Sequence, residues 1–245
     1  GDRPGKVTAT EKFDGTSWTT VNSMNTARNA LGGAGTITSA LAFGGNLPGY
    51  SNVTEKYDGT SWTEVNNLNT ARQTTGCGSS NSAAIAVGGY DPAAATNIVE
   101  KYDGTSWTEV GDINTTRYII NNTGTSTATL AAGGNPVTTS VESYNGTSWT
   151  ETTALGTAKS GGYNCGTQTL ALYAGGHTGA NTANVESFDG TSWTEVADIS
   201  SARNTGGNTG AGTAAAAIIY SGTGPGVLTE EWNDPVYTIK TVTVS

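Results

Sequence analysis

Asn97-Ile98-Val99-Glu100-Lys101-Tyr102-Asp103-Gly104-Thr105-Ser106-Trp107-Thr108-Glu109-Val110 is the stretch that decides the fold. Two short runs rich in β-branched and aromatic residues flank an Asp-Gly step. That step signals a tight antiparallel hairpin, because glycine takes positive φ at no steric cost. Asp-Gly-Thr-Ser-Trp also stands at 14–18, 58–62 and 189–193, and Asn-Gly-Thr-Ser-Trp at 145–149. Trp18, Trp62, Trp107, Trp149 and Trp193 are therefore spaced by 44, 45, 42 and 44 residues. A worn sixth copy lies 44 residues further on, where Glu231-Trp232-Asn233 replaces Lys56-Tyr57-Asp58 and Tyr237 replaces the tryptophan.

The unit around this hairpin reads as four strands. Arg72 to Gly78 is strand a, Ala83 to Val87 is strand b, Asn97 to Tyr102 is strand c and Trp107 to Val110 is strand d. Short runs bounded by Gly, Asn and Asp are strand signals, and no window sustains a 3.6-residue period. A second ruler runs from a basic residue to a Gly-Gly pair. It measures 16 residues from Arg28 to Gly44, Arg72 to Gly88, Arg117 to Gly133 and Lys159 to Gly175. In the fifth unit, Arg203 to Ser221-Gly222, it measures 18, an apparent gain of two residues. A repeat near 44 residues with four short strands fits a propeller blade.

Composition narrows the function. The chain has 245 residues, 11 Lys plus Arg against 20 Asp plus Glu, a formal charge of −9 and only 13% charged residues. Nothing in that balance would displace counterions from a phosphate backbone, so nucleic acid is not an expected partner. The longest apolar run, Ala214 to Tyr220, is far short of a bilayer, and membrane insertion is not expected. Two cysteines cannot make a disulfide framework, and Cys77 and Cys165 read as small buried thiols. Gly1 to Lys6 lacks an initiator Met and the apolar core of a signal peptide, so the chain reads as a portion of something longer.

The order of motifs resembles kelch repeats: a Gly-Gly doublet after a short apolar strand, then Glu-x-Tyr-Asp/Asn-Gly, then Trp, then Arg in the next unit. The resemblance covers nearly the whole chain. Near-identical Asp-Gly-Thr-Ser-Trp-Thr followed by Asn-Thr-Ala-Arg looks like the Gly/Thr-rich arrays in tail-associated proteins of bacteriophages, marine ones especially, and Ile239 to Ser245 looks like the ends of such proteins. The resemblance implies an all-β propeller and a virion location. WD40 units need Gly-His and Trp-Asp, but only Gly176-His177 is present. Sialidase-type Asp-boxes need one more residue between Asp and Gly.

A single domain over 1–245 is expected, with units at about 28–65, 72–110, 117–152, 159–196 and 203–222. Five four-stranded blades close by strand exchange if the N-terminal pair 7–21 completes the last a–b pair, which leaves 227–244 as a surplus, degenerate c–d pair. The alternative is a six-bladed ring with one incomplete blade.

Alternating strand direction puts the a–b and c–d turns at one end and the b–c and d–a loops at the other. The first end is nearly uniform. The second is diverse: 46–50, 90–93, 135–137, 177–180 and 223–225 share neither length nor chemistry. Diversity on a constant frame points to a reading face. The unrepeated Tyr50, Tyr90 and Asp91 in b–c loops, Tyr118 and Tyr163 on strand a lining the channel, and His177 are the candidate ligand contacts. The basic set Arg28, Arg72, Arg117, Lys159 and Arg203 could form an anion ring. The stronger reading is structural, with each guanidinium reaching across a Gly-Gly pair to a strand-c carboxylate such as Glu55 or Glu100, a type repeated as Glu11, Glu142, Glu186 and Glu230. Trp18, Trp62, Trp107, Trp149 and Trp193 are expected to pack between blades.

Catalytic residues are not expected. His177 is the one histidine, and no Ser or Cys has an identifiable base. One histidine cannot supply the copper site of galactose-oxidase-like kelch enzymes, and Asp91, Asp112 and Asp198 stand in no calcium-binding loop, so neither metal nor cofactor is expected. The expected function is a non-catalytic, phage tail-associated or receptor-binding module that presents its b–c loops to a host-surface glycan or protein. The alternative is a structural virion module contacting other virion proteins.

Overall fold

The structure, a computed structural model, describes residues 7–204, 211–220, 222–223 and 229–233. Every regular element among them is a β-strand. The sequence units fold into separate antiparallel sheets, each from consecutive strands. Blade 1 is Gly32–Thr36, Ser39–Phe43, Thr54–Tyr57 and Trp62–Val65. Blade 2 is Gln73–Ser80, Ala83–Tyr90, Ala95–Tyr102 and Trp107–Glu109. Blade 3 is Asn121–Thr125, Ala128–Ala132, Val141–Tyr144 and Trp149–Glu151. Blade 4 is Tyr163–Gly166, Ala171–Ala174, Val185–Phe188 and Trp193–Val196. Blade 5 has three strands among the described residues: Ala211–Gly212, Ala216–Tyr220 and Thr229–Asn233. The protein is an all-β propeller of about five blades, with strand order a-b-c-d in each complete sheet.

The c–d hairpin closes as its sequence dictates. Asp58 Oδ1 accepts the amide protons of Thr60 and Ser61 at 2.8 Å each, and Gly59 takes φ +97°. Strand register then sets Tyr57 opposite Trp62, with ring centroids 5.1 Å apart. The same pairing recurs as Phe13–Trp18, Tyr102–Trp107, Tyr144–Trp149 and Phe188–Trp193. Trp107 also reaches the preceding blade, meeting Phe43 at 4.8 Å and donating Nε1–H to Thr54 Oγ1 at 3.1 Å. Trp107 and Trp149 are buried, Trp62 and Trp193 half-buried, and Trp18 is 40% exposed. The expected inter-blade packing thus holds in full only where a complete blade lies on each side.

The basic residue of each unit is wholly internal. Arg28, Arg72, Arg117, Lys159 and Arg203 are 0–2% exposed, and each pairs with the strand-c glutamate of its own blade: Glu55, Glu100, Glu142, Glu186 and Glu230 respectively. The other oxygen of each carboxylate faces the linker arriving from the preceding unit. Glu100 accepts the Asn69 amide at 2.7 Å, Glu142 the Asn114 amide at 2.7 Å and Glu186 the Gly156 amide at 2.6 Å. As expected, the guanidinium passes the Gly-Gly pair of its own blade on the way to strand c: Arg72 Nε donates to Gly88 O and Arg117 Nη1 to Gly133 O, each at 3.1 Å. The doublet also meets the backbone of the next unit's basic residue. Gly45, Gly89, Gly134 and Gly176 donate N–H to the carbonyls of Arg72, Arg117, Lys159 and Arg203 at 2.8–3.2 Å. A Cβ on Gly44 or Gly88 would lie 2.8 Å from that same carbonyl oxygen, in a backbone of positive φ. Blade 4 carries a coordinated variation. Lys159 is shorter than arginine, and Tyr173 occupies the place of Ala42, Ala86 and Ala131, its ring 4.6 Å from the Lys159 Nζ.

The closure differs from the expected strand exchange. Thr229–Asn233, part of the worn copy, pairs with Ala216–Tyr220 as strand c of blade 5, and residues 10–21 do not. The reason is chemical as well as topological. Glu230 keeps the carboxylate that Arg203 requires, and Trp232 keeps the aromatic position of Tyr57. Glu11 pairs with no arginine among the described residues. The remainder of the worn copy (227–228 and 234–244, with Tyr237), Ser221, Gly224, Pro225 and the terminal Ile239 to Ser245 lie outside the described residues. Thr10–Phe13 and Trp18–Val21 form a two-stranded sheet of their own. It sits between blades 5 and 1. Trp18 meets Tyr220 at 5.1 Å, as Trp107 meets Phe43, and Asn25 N–H reaches Glu55 at 2.7 Å, as Asn69 reaches Glu100. Among the described residues this two-stranded sheet stands beside the five blades and does not complete blade 5.

Two outcomes test this architecture. Arg72→Ala leaves Glu100 buried without its counter-charge and is expected to lower unfolding free energy by about 3–5 kcal/mol in urea titrations, whereas Arg72→Met with Glu100→Leu is expected to cost much less. Truncation after Gly226 is expected to depress the urea midpoint more than removal of residues 1–21, since only the truncation takes away a strand that completes an ion-paired blade.

Candidate functional site

The b–c loop end carries the candidate site, and its frame is a set of backbone rungs. In each unit the residue after the basic residue pairs with the residue after the Gly-Gly position. The rungs are Asn29–Asn46, Gln73–Tyr90, Tyr118–Asn135, Ser160–His177 and Asn204–Thr223. Tyr118 and Asn135 exchange two amide bonds at 3.1 and 2.7 Å, and Ser160 and His177 exchange two at 3.1 and 2.8 Å. The basic residue and the glycines hold the backbone, so these side chains vary while their placement stays fixed. Asn29, Gln73, Asn135, Ser160 and Asn204 were not singled out from the sequence. Their signal is a constant offset of one residue from the Arg/Lys position or from the end of the doublet.

Three expected contacts come together on this rim. Tyr50 lies 6.0 Å from Tyr90, and Tyr90 lies 5.1 Å from Tyr118 in an edge-on arrangement, ring centroid to ring centroid. One row thus spans blades 1, 2 and 3, and all three rings are half-buried. Tyr50 is brought in by a small hairpin in its loop, Asn46–Leu47 with Gly49–Tyr50. Tyr118 stands just before strand a, at the rim, not along the channel. Its hydroxyl oxygen accepts a bond from Asn135 Nδ2 at 2.6 Å. Half-buried tyrosines present an apolar face and a polar tip, the surface that stacks on sugars or on peptide side chains.

The other candidates are placed differently. Asp91 Oδ1 accepts the amides of Ala93 and Ala94 at 2.8 and 2.9 Å, which shapes the Tyr90–Ala95 loop. Those bonds, with a contribution from Arg72, hold its carboxyl below the ordinary aspartate range. His177 Nδ1 accepts the Gly179 amide at 3.3 Å within its own loop. Tyr163 is a correction: it is 1% exposed and packs with Ala217 and Ile219 between blades 4 and 5, so it offers no ligand contact. Burial pushes its phenol up to about 12 against the opposing pull of Arg203. The basic ring is likewise enclosed, and no anion reaches it without opening a blade. Cys77 and Cys165 are free and buried, with burial pushing each thiol up to about 12. No cluster of three or more His, Cys, Asp or Glu side chains with metal-binding geometry occurs among the described residues, and no helix is long and apolar enough to cross a membrane.

Comparison with known proteins bears on the fold. No family model matches the chain, and no curated protein matches its sequence. Among solved structures, the chain is similar to that titled "Structure of YjhT", with a TM-score of 0.72 and 13% sequence identity over 93% of this chain and 94% of that one. At that identity the likeness establishes the propeller fold and no more.

The opposite face yields a pH test. In the turns, backbone amides of Ser17, Ser61, Ser106 and Ser192, then Thr16, Thr60, Thr105 and Thr191, hold Asp14, Asp58, Asp103 and Asp189 below the ordinary value of 3.8. A depressed carboxyl stabilises the fold above its unfolded pKa and loses that contribution as pH falls through the folded pKa. Changing Asp58, Asp103 and Asp189 to Asn, the residue already present at 145, is expected to flatten the fall in urea midpoint below pH 3.8. An unchanged acid limb would assign the acid sensitivity elsewhere.

Proposed function

We propose that the chain is a non-catalytic binding propeller that recognises a surface glycan or protein through its b–c loop rim. The observation that carries this reading is the Tyr50–Tyr90–Tyr118 row. Three unrepeated aromatic rings converge on one rim, whereas Tyr163 and Tyr173, also unrepeated, are buried between strands. None of the three belongs to the hydrophobic clusters that fill the interior. A contiguous aromatic row with amide neighbours such as Asn135 and Gln73 suits ring stacking with lateral hydrogen bonds. The likeness of the repeats to Gly/Thr-rich arrays of phage tail-associated proteins favours a virion as the setting and a host surface as the target.

The full chain, labelled and titrated onto host cells and onto an immobilised glycan panel, tests the proposal. Tyr90→Ala and Tyr118→Ala are expected to weaken binding by about tenfold or more, in line with about 1.4 kcal/mol for a lost stacking contact, at unchanged melting temperature. Thr60→Ala and Thr105→Ala in the opposite turns are expected to bind like the parent. The reverse pattern would move the functional face to the other end of the propeller.

A further inference from the structure

The innermost strand of each blade, strand a, turns alternate side chains toward its two neighbours, and the register fixes which of them meet. Thr75 and Asn121 are the cross-strand partners of Val87 and Ala132, and Asn122 and Asn164 are those of Ala131 and Tyr173. Cross-strand partners share a face of the sheet. Val87 and Ala131 pack in one apolar cluster, and Ala132 and Tyr173 pack in another. Thr75 therefore meets Asn122 between blades 2 and 3, and Asn121 meets Asn164 between blades 3 and 4. A bond from Asn122 Nδ2 to Thr75 Oγ1 at 2.8 Å joins the first pair. Beside the second, Thr123 Oγ1 donates to Gly166 O at 2.9 Å.

Each slot is filled in its own way. Between blades 1 and 2 the equivalent positions are Gly32 and Gly76, and a Cβ on either would strike the Phe43 ring. Between blades 4 and 5, Tyr163 takes the place of Thr75 and packs with Ala217 and Ile219. Between blades 3 and 4 stand two amides. Asn121 is 0% and Asn164 2% exposed, and neither Nδ2 nor Oδ1 of either has a hydrogen-bond partner among the described residues. Asn121 is longer than Thr75, yet it makes no bond like the one between Thr75 and Asn122. Amides buried without partners are costly, so the pair calls for an occupant that satisfies both ends of each.

The chemistry of those atoms selects the occupant. Each amide carries an NH2 donor and a carbonyl acceptor. A cation would serve the two oxygens and face the N–H groups with the wrong sign, and an anion would do the reverse. Water both donates and accepts, and a buried water makes about three hydrogen bonds to groups of this kind. We propose that Asn121 and Asn164 form a binding site for a long-lived internal water that bridges blade 3 to blade 4, in the place where Thr75 and Asn122 bond directly between blades 2 and 3. The site stands on the inner strands rather than on the b–c loops, so it is independent of the rim reading.

Water itself is the probe, followed by NMR on the full chain labelled with heavy nitrogen, with the side-chain amides of Asn121 and Asn164 assigned through their own backbones. Both are expected to show nuclear Overhauser cross-peaks to water of the sign that marks a residence far longer than that of surface water, and rotating-frame cross-peaks of opposite sign that exclude proton exchange. Relaxation dispersion of the water oxygen is expected to lose amplitude when Asn121→Leu and Asn164→Leu are combined, and to keep it in Thr60→Ala. Absence of the cross-peaks in the parent would overturn the proposal, whether or not the leucine variant folds. So would cross-peaks of exchange type alone, or unchanged dispersion in a folded leucine variant. Amide shifts that follow replacement of sodium by potassium at constant ionic strength would also overturn it, by giving the slot to a cation.

Discussion

The propeller depends on one buried charge pair, repeated in each blade. Its two halves do different work. The Arg72 guanidinium ties the start of strand a to Glu100 on strand c, across the width of its own blade. The carboxylate also holds the linker amides of Asn69 and Thr70, and the Arg72 carbonyl accepts the Gly45 amide of the preceding blade. One residue pair therefore fixes a blade internally and docks it to its neighbour. Such a pair adds little net stability over an apolar substitute, but leaving either member alone is costly. Its effect is to select register, since a slip of one residue would bury an uncompensated carboxylate.

A constraint met so completely by backbone and buried charge leaves the rim free. The residue after each basic residue and the residue after each doublet are paired through their backbones, so the rung itself does not depend on their side chains. That is why asparagine, glutamine, tyrosine, serine and histidine can occupy equivalent places. Tyr50, Tyr90 and Tyr118 meet because three successive blades place them there. The Asp-Gly-Thr-Ser turns allow no such freedom, because the Asp side chain and the positive-φ glycine are both consumed in closing the hairpin. The variable face and the uniform face follow from the same repeat.

Blade 4 shows how far the pair tolerates change. Lys159 keeps the charge but loses the planar fork, and it recruits Asn184 Oδ1 at 2.6 Å while Tyr173 fills the volume. A lysine makes fewer directed bonds than an arginine, so the site is completed by its neighbours.

Strand content, the four-strand unit, the hairpin turns and the internal role of the basic residues were legible in the sequence, because each is set by spacing and by local backbone chemistry. Arg and Glu recur at fixed offsets, and Asp-Gly closes a hairpin wherever it stands. Three matters required the tertiary structure. Which strand completes blade 5 turned on whether Glu230 or Glu11 reaches Arg203, a distance between residues far apart in the chain. Which glutamate each arginine chooses, that of its own blade or of its neighbour, is equally a matter of three-dimensional reach. Whether an unrepeated tyrosine faces solvent or core also cannot be read from one strand: Tyr118 stands on the rim and Tyr163 is sealed between blades, though each follows a basic residue by only a few positions. Periodicity reports what repeats along the chain, whereas exposure and pairing across blades depend on what packs against each position from the neighbouring unit.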